Sequence, residues 1–231
     1  MTLKAKLLVF TKTPLPGQVK TRLSPPFTAE EAAALAEAFL FDTLDLIESA
    51  DLNVGKIIYF TPEEGAKYFS EIISDGWQIK PQRGKSLRIR LINALREESA
   101  NEDLPVVVIG ADSPTLPPQY LAEALKILKN ADLVIGPALD GGFYLIGIKK
   151  FHPSLLKSVI LSKSDSYKKL VINADRVGLT YRALPPWYDI DHFDDLEHIN
   201  NPMTVNRGFT ALRTRIMLAG LGFQQHTKKK E

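Results

Sequence analysis

Short unbroken apolar runs alternate along this chain with stretches whose apolar residues recur every three or four positions. Residues 7–10, 106–109 and 133–135 are of the first kind, and such runs suit strands covered on both faces of a sheet. Residues 54–60 are predicted as a further strand and 77–80 as a short one. Thr28-Ala-Glu-Glu31 is a capping box ahead of an alanine-rich stretch, which predicts a helix to about residue 49. Helices are also expected over 62–73, 87–98, 118–129 and 167–177, with another beginning near Phe193 and a last one over 203–221. Residues 180–184 read as extended. Strands alternating with helices predict an α/β fold built on a parallel, doubly wound sheet. Residues 143–148 form a strand directly after Asp140-Gly-Gly, with no room for a helix before it. A reversed strand, and so a mixed sheet, is expected there. No repeat or linker interrupts the pattern. One domain over 1–224 is expected, followed by a disordered basic tail over 225–231.

Composition narrows the picture. Of the 231 residues 45% are hydrophobic and 24% charged, as in an ordinary globular protein. A net charge of +2 supplies no global field for nucleic acid or membrane. There is no cysteine, which excludes disulfides, thiolate metal sites and cysteine nucleophiles. The run at 7–10 is too short for a secretory signal or a membrane span, so a cytoplasmic protein is expected. The apolar face of 208–222 is interrupted by Arg213 and Arg215, which favours core packing or a homodimer contact over a membrane. The four histidines lack zinc-like spacing, and no Gly-x-Ser-x-Gly elbow is present.

Four segments can carry chemistry. The connection Lys12-Thr-Pro-Leu-Pro-Gly-Gln-Val-Lys-Thr-Arg-Leu23 gathers Lys12, Lys20, Arg22, the Thr21 hydroxyl and the hinge Gly17 between a strand and a helix. It is not a Walker A loop, because Gln18 and Val19 separate Gly17 from Lys20. Its side-chain cations can grip a polyphosphate, with Arg22 forking across two oxygens; a solvated loop is the plainer alternative. Asp112, in Gly110-Ala-Asp-Ser-Pro114, sits just past a buried strand, where α/β sheets bind ligands. That rule places the 12–22 and 110–114 loops on one edge. Mg²⁺ or Mn²⁺ takes one or two carboxylates, with phosphates and water completing the shell, and Asp112 suits that role as well as it suits a turn cap. Asp140-Gly141-Gly142 can contact an acceptor or form a tight turn. Asp189 and Asp191 alternate on an extended segment, where one can join Asp112 on a metal and Asp191 can also cap the helix that follows.

In this order, these segments resemble the glycosyltransferase-like family known as radical-SAM/selenodomain-associated transferases, formerly a domain of unknown function. More distantly the chain is similar to phospholactate guanylyltransferases and molybdenum-cofactor nucleotidyltransferases. The resemblance runs from about Leu7 to Leu196, on the 12–23 loop, Gly110-Ala-Asp-Ser-Pro-Thr-Leu-Pro117, Gly136-Pro-Ala-Leu-Asp-Gly-Gly-Phe-Tyr-Leu-Ile-Gly147 and Asp189-Ile-Asp-His-Phe-Asp-Asp-Leu196. It implies the GT-A (nucleotide-diphospho-sugar transferase) fold, a Rossmann-like three-layer αβα sandwich with a mixed, mostly parallel sheet. It also implies Asp112 and Asp191 as ligands of Mg²⁺ or Mn²⁺. The family's Gly-Asp-Leu-Gly-x-Arg type segment is altered here to Gln82-Arg-Gly-Lys-Ser-Leu-Arg-Ile-Arg90. Arg90 survives as a phosphate-binding candidate, while Lys85-Ser86 replaces the acidic feature and Arg88 the second glycine.

The leading expectation is a metal-dependent glycosyltransferase acting from a nucleotide-sugar donor on a small-molecule acceptor. Lys12, Gly17, Lys20, Thr21, Arg22 and Arg90 would bind the nucleotide. Asp112 and Asp191 would hold the metal, with Asp112 catalytic through it, and Asp140, with Gly141 and Gly142, would contact the acceptor, Asp140 also as the catalytic base that deprotonates it. The alternatives are a nucleotidyltransferase releasing pyrophosphate and a non-catalytic nucleotide-binding protein.

Overall fold

A computed structural model of the chain describes residues 4–100, 104–161, 164–201 and 208–223. They form two compact units. The first draws on Met1–Thr13, Leu52–Gly110 and Gln119–Tyr188, the second on Pro14–Asp51, Ala111–Pro118 and Asp189–Glu231.

The first unit holds the strands β1 Lys6–Lys12, β2 Gly55–Thr61, β3 Trp77–Pro81, β4 Val106–Gly110, β5 Leu133–Pro137, β6 Phe143–Ile148 and β7 Tyr181–Ala183. They make one sheet in the order β3-β2-β1-β4-β6-β5-β7. β1 runs parallel to both β2 and β4, with Leu8 in register with Ile57 and Val108. β6 is antiparallel to β4 and β5. The short connection through Asp140-Gly-Gly allows only that direction, since a parallel return needs a crossover of a dozen or more residues. The sheet is therefore mixed and mostly parallel, as the resemblance implies.

Along the chain the helices are α1 Ala29–Ser49, α2 Ala66–Ile72, α3 Leu87–Ala100, α4 Pro118–Ile127, α5 Ser166–Arg176, α6 Glu197–Asn200 and α7 Leu212–Gly220. In the first unit, Leu8, Ile57, Tyr59, Val106, Val108 and Ile146 share one buried cluster with Leu91 and Leu95 of α3 and Leu170 of α5. Alternate residues point to the opposite face. There Phe60 stacks on Phe69 of α2, with ring centres 4.8 Å apart. Val107 and Val134 converge with Leu128 on Gly147, where an added Cβ would overlap them. Both faces are covered, which is why the strands read as continuous apolar runs. Each fully buried Leu or Ile contributes about 1.5–3 kcal/mol. Glu98 of α3 ties the strands to the helix: it accepts hydrogen bonds from Tyr59 Oη at 2.6 Å and Lys80 Nζ at 2.5 Å, and pairs with Lys6 at 3.2 Å.

In the second unit the capping box forms: the Glu31 N–H donates to Thr28 Oγ1 at 3.2 Å, and the Thr28 N–H to Glu31 Oε2 at 2.8 Å. Asp42, buried on α1, accepts from the N–H groups of Arg213 and Thr214 at 3.1 and 2.8 Å, and so caps α7. Phe193 packs its ring against Phe27 and Phe223, 5.5 Å from each.

Two helix expectations change. The 62–73 helix divides into a 3₁₀ turn, Glu63–Gly65, and α2; a Cβ at Gly65 would strike the Thr13 side chain. Of the 203–221 helix expectation, residues 208–211 are not helical and α7 starts at Leu212. Residues 208–211 are held out of the helix, because the Phe209 N–H donates to the Thr115 carbonyl at 2.9 Å and Ala211 is left-handed at φ 50°. Residues 203–207 of that expectation, and the 225–231 tail, lie outside the described residues. Among the described residues, no helix is long and apolar enough to cross a membrane.

Candidate active site

The 12–23 connection is shaped by backbone geometry. The Gln18 N–H donates to the Leu15 carbonyl at 3.0 Å, closing a turn with Pro16 and Gly17 at its centre and Gly17 at φ 73°. Proline followed by a positive-φ glycine is the type II pattern. Lys20 is also left-handed, at φ 45°, and precedes the 3₁₀ turn Thr21–Leu23. Val19 and Leu23 are buried on either side of it and anchor the loop. Thr21 is exposed, with its carbonyl accepting from the Ser24 N–H at 3.3 Å.

Lys20, although a lysine in a surface loop, has a side chain only 8% exposed. Its ammonium forms an ion pair with Asp112 Oδ1 and another, at 3.2 Å, with Asp191 Oδ1. It also donates to the Ile190 carbonyl at 2.5 Å. The Phe39 ring lies 5.7 Å from it, close enough for cation–π attraction. Burial works against the ammonium, but the fields and hydrogen bonds of Asp112 and Asp191 outweigh it, so its pKa stands above the usual lysine value. Arg22, 62% exposed, reaches Asp191 Oδ2 at 3.7 Å. Solvent screens this outer contact far more than the inner ones.

The two acids come from distant parts of the chain. Asp112 follows β4 and directly precedes a turn closed by the Leu116 N–H donating to the Ser113 carbonyl at 3.0 Å. Asp191 precedes the 3₁₀ turn Phe193–Leu196, whose N-cap is His192. Asp191 is not itself the cap. Asp195 Oδ2 accepts from the N–H groups of Asp191 and His192 at 2.9 and 2.6 Å, leaving the Asp191 carboxylate to Lys20 and Arg22. Sequence reasoning missed Asp195, the Ile190 carbonyl and Phe39 as parts of this cluster. An acid three residues into the last turn was a readable signal for Asp195; nothing local pointed to the other two.

Lys20, Arg22, Asp112 and Asp191 are thus brought together within the second unit. Gly17 and Thr21 lie on the same loop of that unit, whereas Lys12, Arg90, Asp140, Gly141 and Gly142 belong to the first unit. Lys12 is exposed at the end of β1, in register with Thr61. Arg90 donates through Nε to the Gly84 carbonyl at 3.0 Å and through Nη1 to Thr61 Oγ1 at 3.2 Å. Beside it, Gln82 Nε2 donates to the carbonyls of Thr11 and Tyr59 at 3.0 and 2.8 Å, pinning two strand ends. Asp140 Oδ1 accepts from the Gly142 N–H at 2.7 Å, and the Gly141 N–H donates to the Ala138 carbonyl at 3.1 Å. Gly141 is left-handed at φ 90°, with the Ser164 carbonyl where a Cβ would stand. These are the contacts of a tight turn.

Asp112 and Asp191 suit a Mg²⁺ or Mn²⁺ ion. Their carboxylates already address a single cationic centre, and they are 52% and 45% exposed, so water and substrate oxygens have access. Among the described residues no group of three or more His, Cys, Asp or Glu is placed to hold a metal. Two carboxylates completed by substrate phosphates is the regime magnesium sites favour.

Comparison with known proteins finds the chain similar to nucleotide-using transferases. A family model described as "Uncharacterized protein conserved in bacteria (DUF2064)" matches residues 46–163. A 2-phospho-L-lactate guanylyltransferase from Methanocaldococcus sp. strain FS406-22 is 27% identical over 217 residues, 92% of this chain and 86% of that one. A 3-phospho-D-glycerate guanylyltransferase from Phenylobacterium zucineum is 32% identical over 138 residues, 58% of this chain and 62% of that one. Against the Methanocaldococcus jannaschii 2-phospho-L-lactate guanylyltransferase the match takes in 55% of that protein, so the chain spans little more than half of some curated relatives. A crystal structure from Desulfovibrio desulfuricans G20, provisionally described as a nucleotide-diphospho-sugar transferase, superposes with a TM-score of 0.84. It is 30% identical and covers 97% of this chain and 98% of that one.

Proposed function

We propose that this chain, which belongs to the DUF2064 family, is a divalent-metal-dependent nucleotidyltransferase that joins a nucleoside monophosphate to a small phosphorylated acid and releases pyrophosphate. The observation that carries the reading is the Lys20, Arg22, Asp112 and Asp191 cluster, where two carboxylates converge on one cationic centre beside a second cation. Cations next to paired acids answer the needs of a polyphosphate and its metal.

In the reaction, an acceptor phosphate oxygen attacks the α-phosphorus of the nucleoside triphosphate. The bond from that phosphorus to the α,β-bridging oxygen breaks, and pyrophosphate leaves with the electron pair. Arg22 presents a planar fork to phosphate oxygens, and Lys20 a compact charge. Asp112 and Asp191 would hold Mg²⁺ or Mn²⁺, which when bound supplies Lewis-acid stabilisation of the charge on the leaving diphosphate. Asp195 keeps Asp191 in place through two backbone N–H groups.

Relatives named as guanylyltransferases of 2-phospho-L-lactate and 3-phospho-D-glycerate support nucleotidyl transfer over sugar transfer, with guanosine triphosphate as donor and a phosphorylated hydroxy acid as acceptor. Sugar transfer from a nucleotide sugar stays as the second reading, favoured by the description of the Desulfovibrio structure. A panel assay separates them. The purified chain is incubated with Mg²⁺ or Mn²⁺, each nucleoside triphosphate and each of the two phospho-acids, and pyrophosphate is measured. Acceptor-dependent pyrophosphate release is expected. Consumption of nucleotide sugars with no pyrophosphate from any triphosphate would overturn the proposal.

A further inference from the structure

We infer that Lys20 is a displaceable stand-in for the divalent cation: its ammonium occupies Asp112 and Asp191 until metal arrives, then moves to a polyphosphate. The inference rests on the proposed reading of Asp112 and Asp191 as metal ligands, and deepens it by coupling metal binding to phosphate binding.

Hydrogen-bond counting carries the argument. A lysine ammonium has three donors and no acceptor. Here it faces three oxygens: Asp112 Oδ1, Asp191 Oδ1 and the Ile190 carbonyl. All three are hard oxygen ligands, the kind that Mg²⁺ and Mn²⁺ take. With its donors committed, Lys20 has none left for a phosphate. Holding the acids and holding a phosphate are therefore alternative states of one side chain.

Electrostatics points the same way. A divalent ion on these two carboxylates would face the Lys20 ammonium at close range and repel it strongly. Exchange of the ammonium for the metal balances the two carboxylate charges and releases one positive charge. The flexible four-carbon stem can carry that charge elsewhere, while the backbone of Lys20 stays tied through its carbonyl to the Leu23 N–H at 2.9 Å. A polyphosphate gives the displaced ammonium a new anionic partner. Each ligand thereby removes a cost that opposes the other, which is positive coupling between two sites. It also means the protein holds metal weakly until nucleotide is present.

The competition has a measurable size. If the acids are free of Lys20 about a tenth of the time, the apparent metal affinity is about ten-fold weaker than that of the bare pair. The experiment measures Mn²⁺ binding without nucleotide, by the electron paramagnetic resonance of free Mn²⁺, for the wild type, Lys20→Met, Arg22→Met and Lys20→Met/Asp112→Asn. Lys20→Met is expected to bind Mn²⁺ about ten-fold or more tightly than wild type. Arg22→Met also removes one positive charge but is largely exposed, so a much smaller gain is expected. Equal gains for the two would reduce the effect to net charge and overturn the inference, as would unchanged or weaker binding by Lys20→Met. Tight binding that survives in Lys20→Met/Asp112→Asn would instead overturn Asp112 as a ligand, and the inference with it.

A second measurement needs no variant. The wild-type chain is treated with an amine-acetylating reagent with and without Mn²⁺, and labelling at each lysine is read by mass spectrometry. Lys20 is expected to be protected without metal and labelled several-fold faster with it, while exposed Lys67 and Lys126 change little. Lys20 labelling that is unchanged at saturating Mn²⁺ would overturn the inference and leave the metal site standing.

Discussion

The backbone N–H of Ile190 donates to the carbonyl oxygen of Asp112 at 2.9 Å. This single bond joins two segments far apart in the chain and brings together Asp112, one of its partners, and Asp191, the residue after the other. Ile190 is fully buried, so the 189–191 stretch is held by its apolar side chain as well as by its backbone. Asp191 is then carried to the ammonium that Asp112 already meets. The acids converge because the backbones that bear them are bonded.

Asp112→Asn is expected to lower kcat/KM for nucleotidyl transfer by about 100-fold or more, the scale of losing one preorganised charge-stabilising group. Its own side chain is half exposed, but the enclosed Lys20 ammonium loses one of the two carboxylates that offset its burial, so the melting temperature should fall as well. Steady-state pyrophosphate release and thermal unfolding together check this. A near-normal rate would remove Asp112 from the chemistry.

Asp195→Ala tests positioning. It removes the acceptor of two N–H groups, at Asp191 and His192, and should cost about 1–2 kcal/mol of stability, as loss of a helix cap does. Mn²⁺ affinity should fall with it, because Asp191 loses its tether. A purely structural role would lower the melting temperature and leave metal affinity unmoved.

Two glycines make a contrasting pair. Gly17→Ala meets open space and bears only the positive-φ strain, about 1–2 kcal/mol. Gly141→Ala bears the same strain and also drives its Cβ into the Ser164 carbonyl, so its destabilisation should be clearly the larger. Denaturant unfolding of both variants gives the comparison directly.

The pH dependence of stability should reveal two carboxylates shifted in opposite directions. Burial tends to raise the pKa of Glu98, but hydrogen bonds from Lys80, Tyr59 and Lys6 and the charge of Lys80 hold it below the usual glutamate value. Its contribution is present in full above the unfolded-state pKa and is lost as pH falls through the folded one. Burial raises the pKa of Asp42 despite its hydrogen bonds to Thr214 and Arg213. Its neutral form favours folding, so stability declines as pH rises from the unfolded-state value through the raised folded one. Urea titrations of Glu98→Gln and Asp42→Asn against pH should flatten opposite slopes. Equal slopes in wild type and both variants would contradict both assignments.

Much of this protein was legible in the order of its residues. The strands β1, β4 and β5 are short apolar runs because both faces of their sheet are covered. The direction of β6 follows from a connection too short for a crossover, and the start of α1 from Thr28 and Glu31. These are local or periodic signals, complete within a few residues. Within the 203–221 helix expectation, residues 212–220 are helical and 208–211 are not, because the start of α7 is met by Asp42 and the segment before it by Thr115, residues that nothing nearby in the chain announces.

The chemistry divides in the same way. The residue order alone singled out Lys20, Arg22, Asp112 and Asp191 as candidates for a polyphosphate and its metal, beside the plainer readings of a solvated loop and turn caps. Only the tertiary structure decided that Lys20 is enclosed, that its three donors are all engaged and that His192, with Asp195 bonding back to it, rather than Asp191 caps the Phe193–Leu196 turn. Side-chain chemistry is written residue by residue. Which charge neutralises which depends on through-space distance, and that is set by the packing of distant segments.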